Sequence, residues 1–160
     1  MNLKGYFETL LPVIEAELQQ TLSQYRVAQL ENMYTMLSYH MGWEGPGAGP
    51  EARGKRIRPM LVLLCSAAAG GDWAEALPGA AAVELIHNFS LVHDDIEDNS
   101  PTRRGRSTVW ALWGIPQAIN VGDALFSLAQ IRVLRLTKTV SLEAAIAASQ
   151  ALQETCLKLT

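Results

Sequence analysis

The segment from His87 to Trp110 constrains this chain more than any other, because it brings opposite charges close together. It reads HNFSLVHDDIEDNSPTRRGRSTVW. Its first part has the apolar character of a buried helix, and it turns acidic before a break at Asn99–Pro101. Three arginines follow around Gly105. The segment therefore predicts a carboxylate cluster and a guanidinium cluster held about one turn apart.

The carboxylates of this segment share one face of the predicted helix. Asp94 and Asp98 lie on the same stripe, which runs back through Leu91 to His87. Two unit charges about 6 Å apart repel by roughly 3 kcal/mol at an effective dielectric of about 20. They also lie in the last turn, where the helix dipole disfavours negative charge. If the site is enclosed, this pair requires a cation.

The donor type favours a hard cation. Carboxylates without a cysteine or a spaced histidine pair suit Mg²⁺, which usually keeps waters and substrate phosphate oxygens as its other ligands. The neighbouring arginines can then bind the same phosphates. The alternative is a solvated acidic helix end followed by a basic loop, the usual meaning of a charge run. The apolar stretch Ala80–Val92, just before the cluster, favours the metal site.

A second basic motif, GKRIRP at residues 54–59, opens an apolar run that ends at Ala69. Its charged residues are Lys55, Arg56 and Arg58. They would crowd the positive end of a helix predicted to begin near Pro59, which is unfavourable unless an anion binds there. The alternative is a basic loop that only solubilises a buried helix.

Composition limits the class of protein. The 160 residues suffice for one domain, 1–160, and a net charge of −3 gives no field for nucleic acid or anionic membrane. Cys65 and Cys156 lie far apart in no metal-like spacing, which favours a reducing, cytoplasmic setting. No signal peptide is visible, and the run Met60–Ala69 is too short to span a bilayer. We therefore expect a soluble protein.

The hydrophobic pattern predicts an all-α chain of six or seven helices and no strands. The expected helices are 3–20, which Pro12 bends or restarts, 22–41, 59–69, 73–98, 108–113, 117–139 and 141–159, with Ser141 as a cap. GWEGPGAGP, at 42–50, has four glycines and two prolines. That composition predicts a loop, and we interpret it as a connection inside one domain.

Three segments in this order resemble the trans-polyprenyl diphosphate synthases, the farnesyl and geranylgeranyl diphosphate synthase family. They are GKRIRP at 54–59, SLVHDDIED at 90–98 and RRG at 103–105. NVGDALFSLA, at 120–129, is similar to the family helix that follows. The resemblance implies an all-α bundle around a central cavity, usually homodimeric, with this chain as its N-terminal half. It also implies head-to-tail condensation of isopentenyl diphosphate with an allylic diphosphate, giving geranylgeranyl or farnesyl diphosphate.

The resemblance also implies roles for particular residues. The Mg²⁺ ligands would be Asp94, Asp95 and Asp98, with Asp94, Asp98 and Arg103 acting on the allylic diphosphate. The isopentenyl diphosphate site would comprise Lys55, Arg58, His87 and Arg104. Phe89 and Ser90, just before the aspartates, would limit product length. From the residues alone, a lone histidine such as His87 can equally be a hydrogen-bonded core group.

The chain departs from the family in one respect. Family members are about twice as long, above the usual domain size, and their second aspartate-rich motif is absent from these residues. We therefore expect the 160-residue chain to be inactive by itself. An alternative is a non-catalytic regulatory or binding subunit that pairs with a full-length synthase. A class I terpene cyclase also uses an aspartate-rich motif, but it does not need the GKRIRP site for a second diphosphate.

Overall fold

The computed structural model describes residues 3–159, with side chains for 5–158, and this part of the chain is almost entirely helical. It contains the α-helices α1 (Leu3–Ser23), α2 (Glu31–His40), α3 (Pro50–Arg53), α4 (Ile57–Ala68), α5 (Leu77–Glu97), α6 (Val109–Trp113), α7 (Ile115–Leu134) and α8 (Leu142–Leu159). Short 3₁₀ helices span Ala28–Leu30, Trp73–Ala76 and Arg135–Lys138. None of the helices within 3–159 is long and apolar enough to cross a membrane. The all-α prediction is confirmed.

The expectation of helices alone is wrong at one place. Strands β1 (Thr102–Arg103) and β2 (Arg106–Ser107) pair antiparallel and form a small hairpin. Each strand has only two residues, too few for the alternation by which a strand is recognised in sequence. The hairpin carries the arginine cluster.

The chain divides into two compact units, each assembled from separate stretches of sequence. The first unit comprises the residues up to Ser23, Arg56–Ile86 and those from Leu128 onward. The second unit comprises Gln24–Lys55 and His87–Ser127. Helices α5 and α7 contribute residues to both. The single-domain organisation stays a prediction.

In the first unit, α1 packs against α4. Pro12 lies inside α1 but does not make the helix restart. The buried residues of α1 recur at helical spacing on both sides of Pro12: Leu10, Ile14, Leu18 and Leu22. Burial of this continuous stripe compensates for the backbone hydrogen bond that a proline cannot donate.

The second unit begins with a turn where a continuous helix was predicted. Between α1 and α2 the backbone at Val27 is extended, and Val27 and Leu30 are each 48% exposed. Arg26 forms an ion pair with Glu31, the first residue of α2. Because the apolar residues of this segment are not buried, no packing supports a helix there, and short unsupported helices are marginal in water.

Helix α5 ends at the predicted break. Asn99 adopts a left-handed conformation with φ 51°, and its N–H donates to Ile96 O at 3.1 Å. The N–H of Ser100 donates to Asp95 O at 2.9 Å. This pair of hydrogen bonds is a Schellman motif, in which Asn is the usual substitute for Gly. The chain therefore reverses sharply after the aspartates and enters the hairpin.

The hairpin turn consists of Arg104 and Gly105, with φ of 52° and 73°. Positive φ at both central residues is the requirement of a type I′ turn, and it is unfavourable for an arginine. The base of the hairpin is fixed at Ser100, whose carbonyl accepts from Thr108 Oγ1 at 3.0 Å and from Trp110 Nε1 at 2.9 Å. Local contacts thus hold the arginine cluster near the end of α5.

Candidate active site

The three aspartates predicted as one cluster have different environments. On the last turns of α5, Asp95 is only 3% exposed and continues the buried face that includes Asn88 and Leu91. Asp94 and Asp98 are exposed. Neither of these two carboxylates forms a hydrogen bond or ion pair with another side chain in the described part of the chain. They are therefore accessible to a ligand from solvent.

Asp95 pairs with Arg103 of the hairpin. Both Nε and Nη2 of Arg103 lie 2.9 Å from Asp95 Oδ1, and the Arg103 side chain remains 32% exposed. Burial raises the pKa of the Asp95 carboxyl, and Arg103 only partly opposes this effect. The negative charges of Asp94 and Asp98 raise the pKa further. Asp95 thus orients Arg103 from the buried side and leaves part of the guanidinium in contact with solvent.

Arg104 brings the hairpin to the GKRIRP motif. Its Nη1 donates to Ala52 O at 2.9 Å. A Cβ at position 54 would lie 2.7 Å from Arg104 Cζ, so the guanidinium packs directly on Gly54. Lys55, the next residue, is exposed. The structure therefore places two of the predicted diphosphate-binding cations, Lys55 and Arg104, on adjoining segments of the second unit.

Arg56 does not belong to this exposed surface. It is 2% exposed, with Nε 2.7 Å from Glu15 Oε1 and Nη1 2.9 Å from Glu84 Oε1. For this residue, neither an anion site nor a solubilising loop is the correct interpretation, because two internal carboxylates accept its charge. Arg58 is exposed and lies in the first unit, whereas Lys55 lies in the second.

The predicted chain-length residues lie one to two turns before the aspartates. The Phe89 ring packs edge-on against His93 and Phe126, with centroid distances of 4.7 Å and 5.2 Å. Ser90 Oγ donates to the carbonyl of His87, at 2.9 Å, and the His87 side chain is half-buried. Sequence analysis did not identify this aromatic cluster, because Phe126 lies on another helix.

A known protein family matches most of this chain, including the residues of this site. The profile of the family described as Polyprenyl synthetase matches residues 49–160. This chain belongs to that family. The match includes all three motifs and the helix that follows them, α7.

Individual polyprenyl synthetases are similar over much of the chain. A geranylgeranyl diphosphate synthase from Mycobacterium tuberculosis is 46% identical over 81% of this chain and 37% of its own length. A (2E,6E)-farnesyl diphosphate synthase from Mycobacterium bovis is 52% identical over 61% of this chain and 28% of its own. The crystal structure of a geranylgeranyl pyrophosphate synthetase from Pyrococcus horikoshii superposes with a TM-score of 0.81 at 33% identity, covering 98% of this chain and 44% of that one. The chain thus spans less than half the length of these relatives.

The two exposed carboxylates of this chain fit Mg²⁺ as a pair. Asp94 and Asp98 are exposed oxygen donors, and Mg²⁺ is usually held by one or two carboxylates together with water and phosphate oxygens. Among the described side chains, no group of three or more His, Cys, Asp or Glu is arranged to hold a metal. Asp95, the third predicted ligand, is engaged by Arg103. Its role as a ligand stays a prediction.

A cavity of about 30 Å³ lies under this surface. Its lining includes Asp95, Arg103, Arg104 and Ala52. This volume accommodates a water molecule but not a diphosphate. A ligand larger than a water molecule could therefore reach these arginines only from their exposed side.

Proposed function

We propose that this chain supplies the first metal- and diphosphate-binding residues of a short-chain trans-prenyltransferase, which condenses isopentenyl diphosphate with an allylic diphosphate to give geranylgeranyl or farnesyl diphosphate. Membership of the polyprenyl synthetase family supports this function. The observation that carries the proposal is the exposed pair Asp94 and Asp98 beside Arg103, which Asp95 orients. Carboxylates for a cation and a guanidinium for phosphate are thereby combined at one helix end.

The allylic diphosphate would bind at this helix end. Asp94 and Asp98 would hold Mg²⁺, which supplies positive charge to the diphosphate as it departs. Arg103 would donate hydrogen bonds to the same diphosphate and stabilise the charge that develops when the allylic C–O bond breaks. The allylic carbon then bonds to the terminal alkene carbon of isopentenyl diphosphate, and loss of one proton restores a double bond.

The diphosphate of isopentenyl diphosphate would bind to a second set of cations. Lys55 and Arg104 lie on adjoining segments and are both exposed. The family resemblance adds Arg58 and His87 to this set. These residues are distinct from Asp94, Asp98 and Arg103, so the two diphosphates would bind to separate sets of side chains.

Substitution of the exposed aspartates tests the catalytic proposal. Asp94→Asn and Asp98→Asn should each lower kcat/KM at least about a hundredfold, because a neutral amide binds Mg²⁺ far less well. Glu97→Gln is the matched control, an exposed carboxylate in the same turn with no proposed role. The assay measures product formation by wild type and by each variant, all purified from the source cells. Undiminished turnover in Asp94→Asn would contradict the proposal.

The same preparation also tests the alternative that the chain is a non-catalytic regulatory subunit. Its intact mass is compared with the 17.5 kDa calculated for these residues. Because the chain covers only 37% of the Mycobacterium tuberculosis relative, we expect the 160-residue polypeptide alone to make no product. Its proposed cation sites should still bind inorganic pyrophosphate. Product from that polypeptide would contradict this expectation. A stoichiometric complex with a longer synthase, insensitive to Asp94→Asn, would favour a regulatory subunit.

The proposal includes a homodimer in the cytoplasm. Sedimentation equilibrium of the native protein tests the dimer, and fractionation of the source cells tests the location. A monomeric mass in sedimentation would contradict the dimer without affecting the assignment of the aspartates.

Phe89 tests the proposed limit on product length. Phe89→Ala removes the ring that packs on Phe126 and opens apolar space one turn before the aspartates. We expect longer prenyl products, identified by mass spectrometry, while Phe7→Leu in the first unit leaves the product distribution unchanged. An unaltered distribution in Phe89→Ala would exclude Phe89 as the limiting residue.

A further inference from the structure

Arg106, on β2, has no role in the proposed function, yet its side chain makes three hydrogen bonds within the described structure. Its Nη1 donates to Tyr39 O at 2.8 Å, its Nη2 to Glu44 O at 2.7 Å and its Nε to Pro46 O at 2.9 Å. All three nitrogens of the guanidinium are therefore bound to backbone carbonyls of one short stretch of chain. The side chain is half-buried.

Tyr39 strengthens this attachment. The guanidinium carbon of Arg106 lies 3.9 Å from the centroid of the Tyr39 ring, within the range of a cation–π interaction. The Tyr39 hydroxyl donates to Ser107 O at 2.8 Å. Tyr39 O also belongs to the last turn of α2, where a cation is favourable for the helix dipole. Each of the two residues thus binds the backbone of the other's segment.

These contacts connect the hairpin to the glycine-rich loop, residues 42–49. The loop passes close to Tyr39, since a Cβ at Gly45 would lie 2.7 Å from Tyr39 Cδ2. Beyond the loop, α3 contains Ala52 and is followed by Gly54 and Lys55. The hairpin is therefore attached to this stretch at two points, by Arg106 at the loop and by Arg104 at Ala52.

The two attachments differ in what a ligand would do to them. Arg104 is exposed, and if it turns toward a diphosphate it must weaken its hydrogen bond to Ala52 O. Arg106 has all of its nitrogens engaged by carbonyls and need not move. After Arg104 binds a ligand, Arg106 is thus the attachment that keeps the hairpin against the segment that ends at Lys55.

We propose that Arg106 is a positioning residue that holds the hairpin carrying Arg104 against the glycine-rich loop, and so keeps Arg104 and Lys55 at the separation that one diphosphate requires. This inference rests on the proposed function of those two cations. Arg106 itself touches no substrate. Its effect is on affinity, because positioned charges bind a ligand without the entropy loss of ordering them first.

The first experiment measures binding of inorganic pyrophosphate to the 160-residue chain by calorimetry, in EDTA so that the aspartates and Mg²⁺ do not contribute. Arg106→Gln should weaken binding about tenfold, the scale expected when a binding constellation loses its supporting contacts. Arg106→Lys keeps the charge and some donors, and should weaken binding about threefold. Arg135→Gln, in the first unit, removes the same charge and should bind like wild type.

A second measurement reports the attachment without any ligand. Endoproteinase Glu-C cuts after glutamate; Glu44 is one of the residues whose carbonyl binds Arg106, and Glu51 follows the loop. Cleavage at these residues, identified by mass spectrometry, should be several-fold faster in Arg106→Gln and intermediate in Arg106→Lys. Circular dichroism confirms that each variant is folded. If Arg106→Gln does not fold, Arg106→Lys alone carries both measurements.

The possible results separate the inference from the function on which it rests. Faster cleavage together with weaker pyrophosphate binding supports the positioning role. Unchanged cleavage overturns the attachment, and faster cleavage with unchanged binding overturns the link to the diphosphate. If wild type itself does not bind pyrophosphate, the proposed cation site is wrong and the role of Arg106 there is overturned with it.

Discussion

Arg56 in the first unit and Arg103 in the second are both paired with carboxylates, but with opposite consequences. The Arg56 side chain is 0% exposed and is bound by two carboxylates, Glu15 and Glu84. The Arg103 side chain is 32% exposed and is bound by one. The first group is closed to solvent, so it can only stabilise the fold. The second is open, so it can also receive a ligand.

The neighbouring charges differ in the same way. Around Arg56, both carboxylates point inward to the guanidinium and are themselves nearly buried. Around Arg103, Asp95 alone points inward, while Asp94 and Asp98 remain in solvent. Charge density by itself therefore does not identify a binding site. The useful distinction is whether the charges satisfy one another or leave some exposed.

Removing Arg56 should have the largest effect on stability. Arg56→Met removes the guanidinium that pairs with the nearly buried Glu15 and Glu84, and breaking a buried ion pair in this way typically costs about 3–5 kcal/mol. Urea denaturation measures the loss, with Arg135→Met as the control for removing a positive charge. The triple variant that also carries Glu15→Gln and Glu84→Gln should recover part of it. A loss below about 1 kcal/mol would show that the cluster is not closed to water.

Removing Arg103 should have a smaller effect on stability and a larger one on ligand binding. Arg103→Gln leaves one buried carboxylate, and because a third of the arginine already lies in water we expect a loss of about 1–2 kcal/mol in the same denaturation assay. Pyrophosphate binding in the presence of Mg²⁺ should weaken at least about tenfold. A destabilisation as large as that of Arg56→Met would remove the proposed difference between the two clusters.

The pH dependence of Asp95 should give the smallest effect. The fold raises the pKa of this carboxyl above its ordinary value of 3.8, so the folded protein binds the proton more tightly than the unfolded chain. Its contribution to stability is therefore fully present below about pH 3.8 and is lost as the pH rises through the folded value. Relative to Asp95→Asn, wild type should lose stability as urea titrations move from about pH 4 to about pH 7. If wild type instead gained stability relative to Asp95→Asn as the pH rises, the assigned direction of the pKa shift would be wrong.

Much of the charge cluster around Arg103 could be predicted, because the sequence patterns that indicate it are local. The apolar stretch that turns acidic at its end predicts α5, and Asn99–Pro101 predicts the break after it. Asp94 and Asp98 have the exposure that a metal site requires. Asp95 was predicted to share their role, but its side chain lies on the buried face and binds Arg103. Asp94 and Asp95 are adjacent residues that point to different sides of the helix. Which of those sides is buried depends on how the helix packs.

The helical class, the turn after the aspartates and the two basic segments could be predicted because periodicity, breakers and charge are properties of neighbouring residues. Which arginines are bound internally could not be predicted in this way. Arg56 meets carboxylates 41 and 28 residues away, and Arg106 meets Tyr39 at a separation of 67. Such pairs form when distant helices pack, and the desolvation that comes with packing decides whether a charge stabilises the fold or stays available to a ligand.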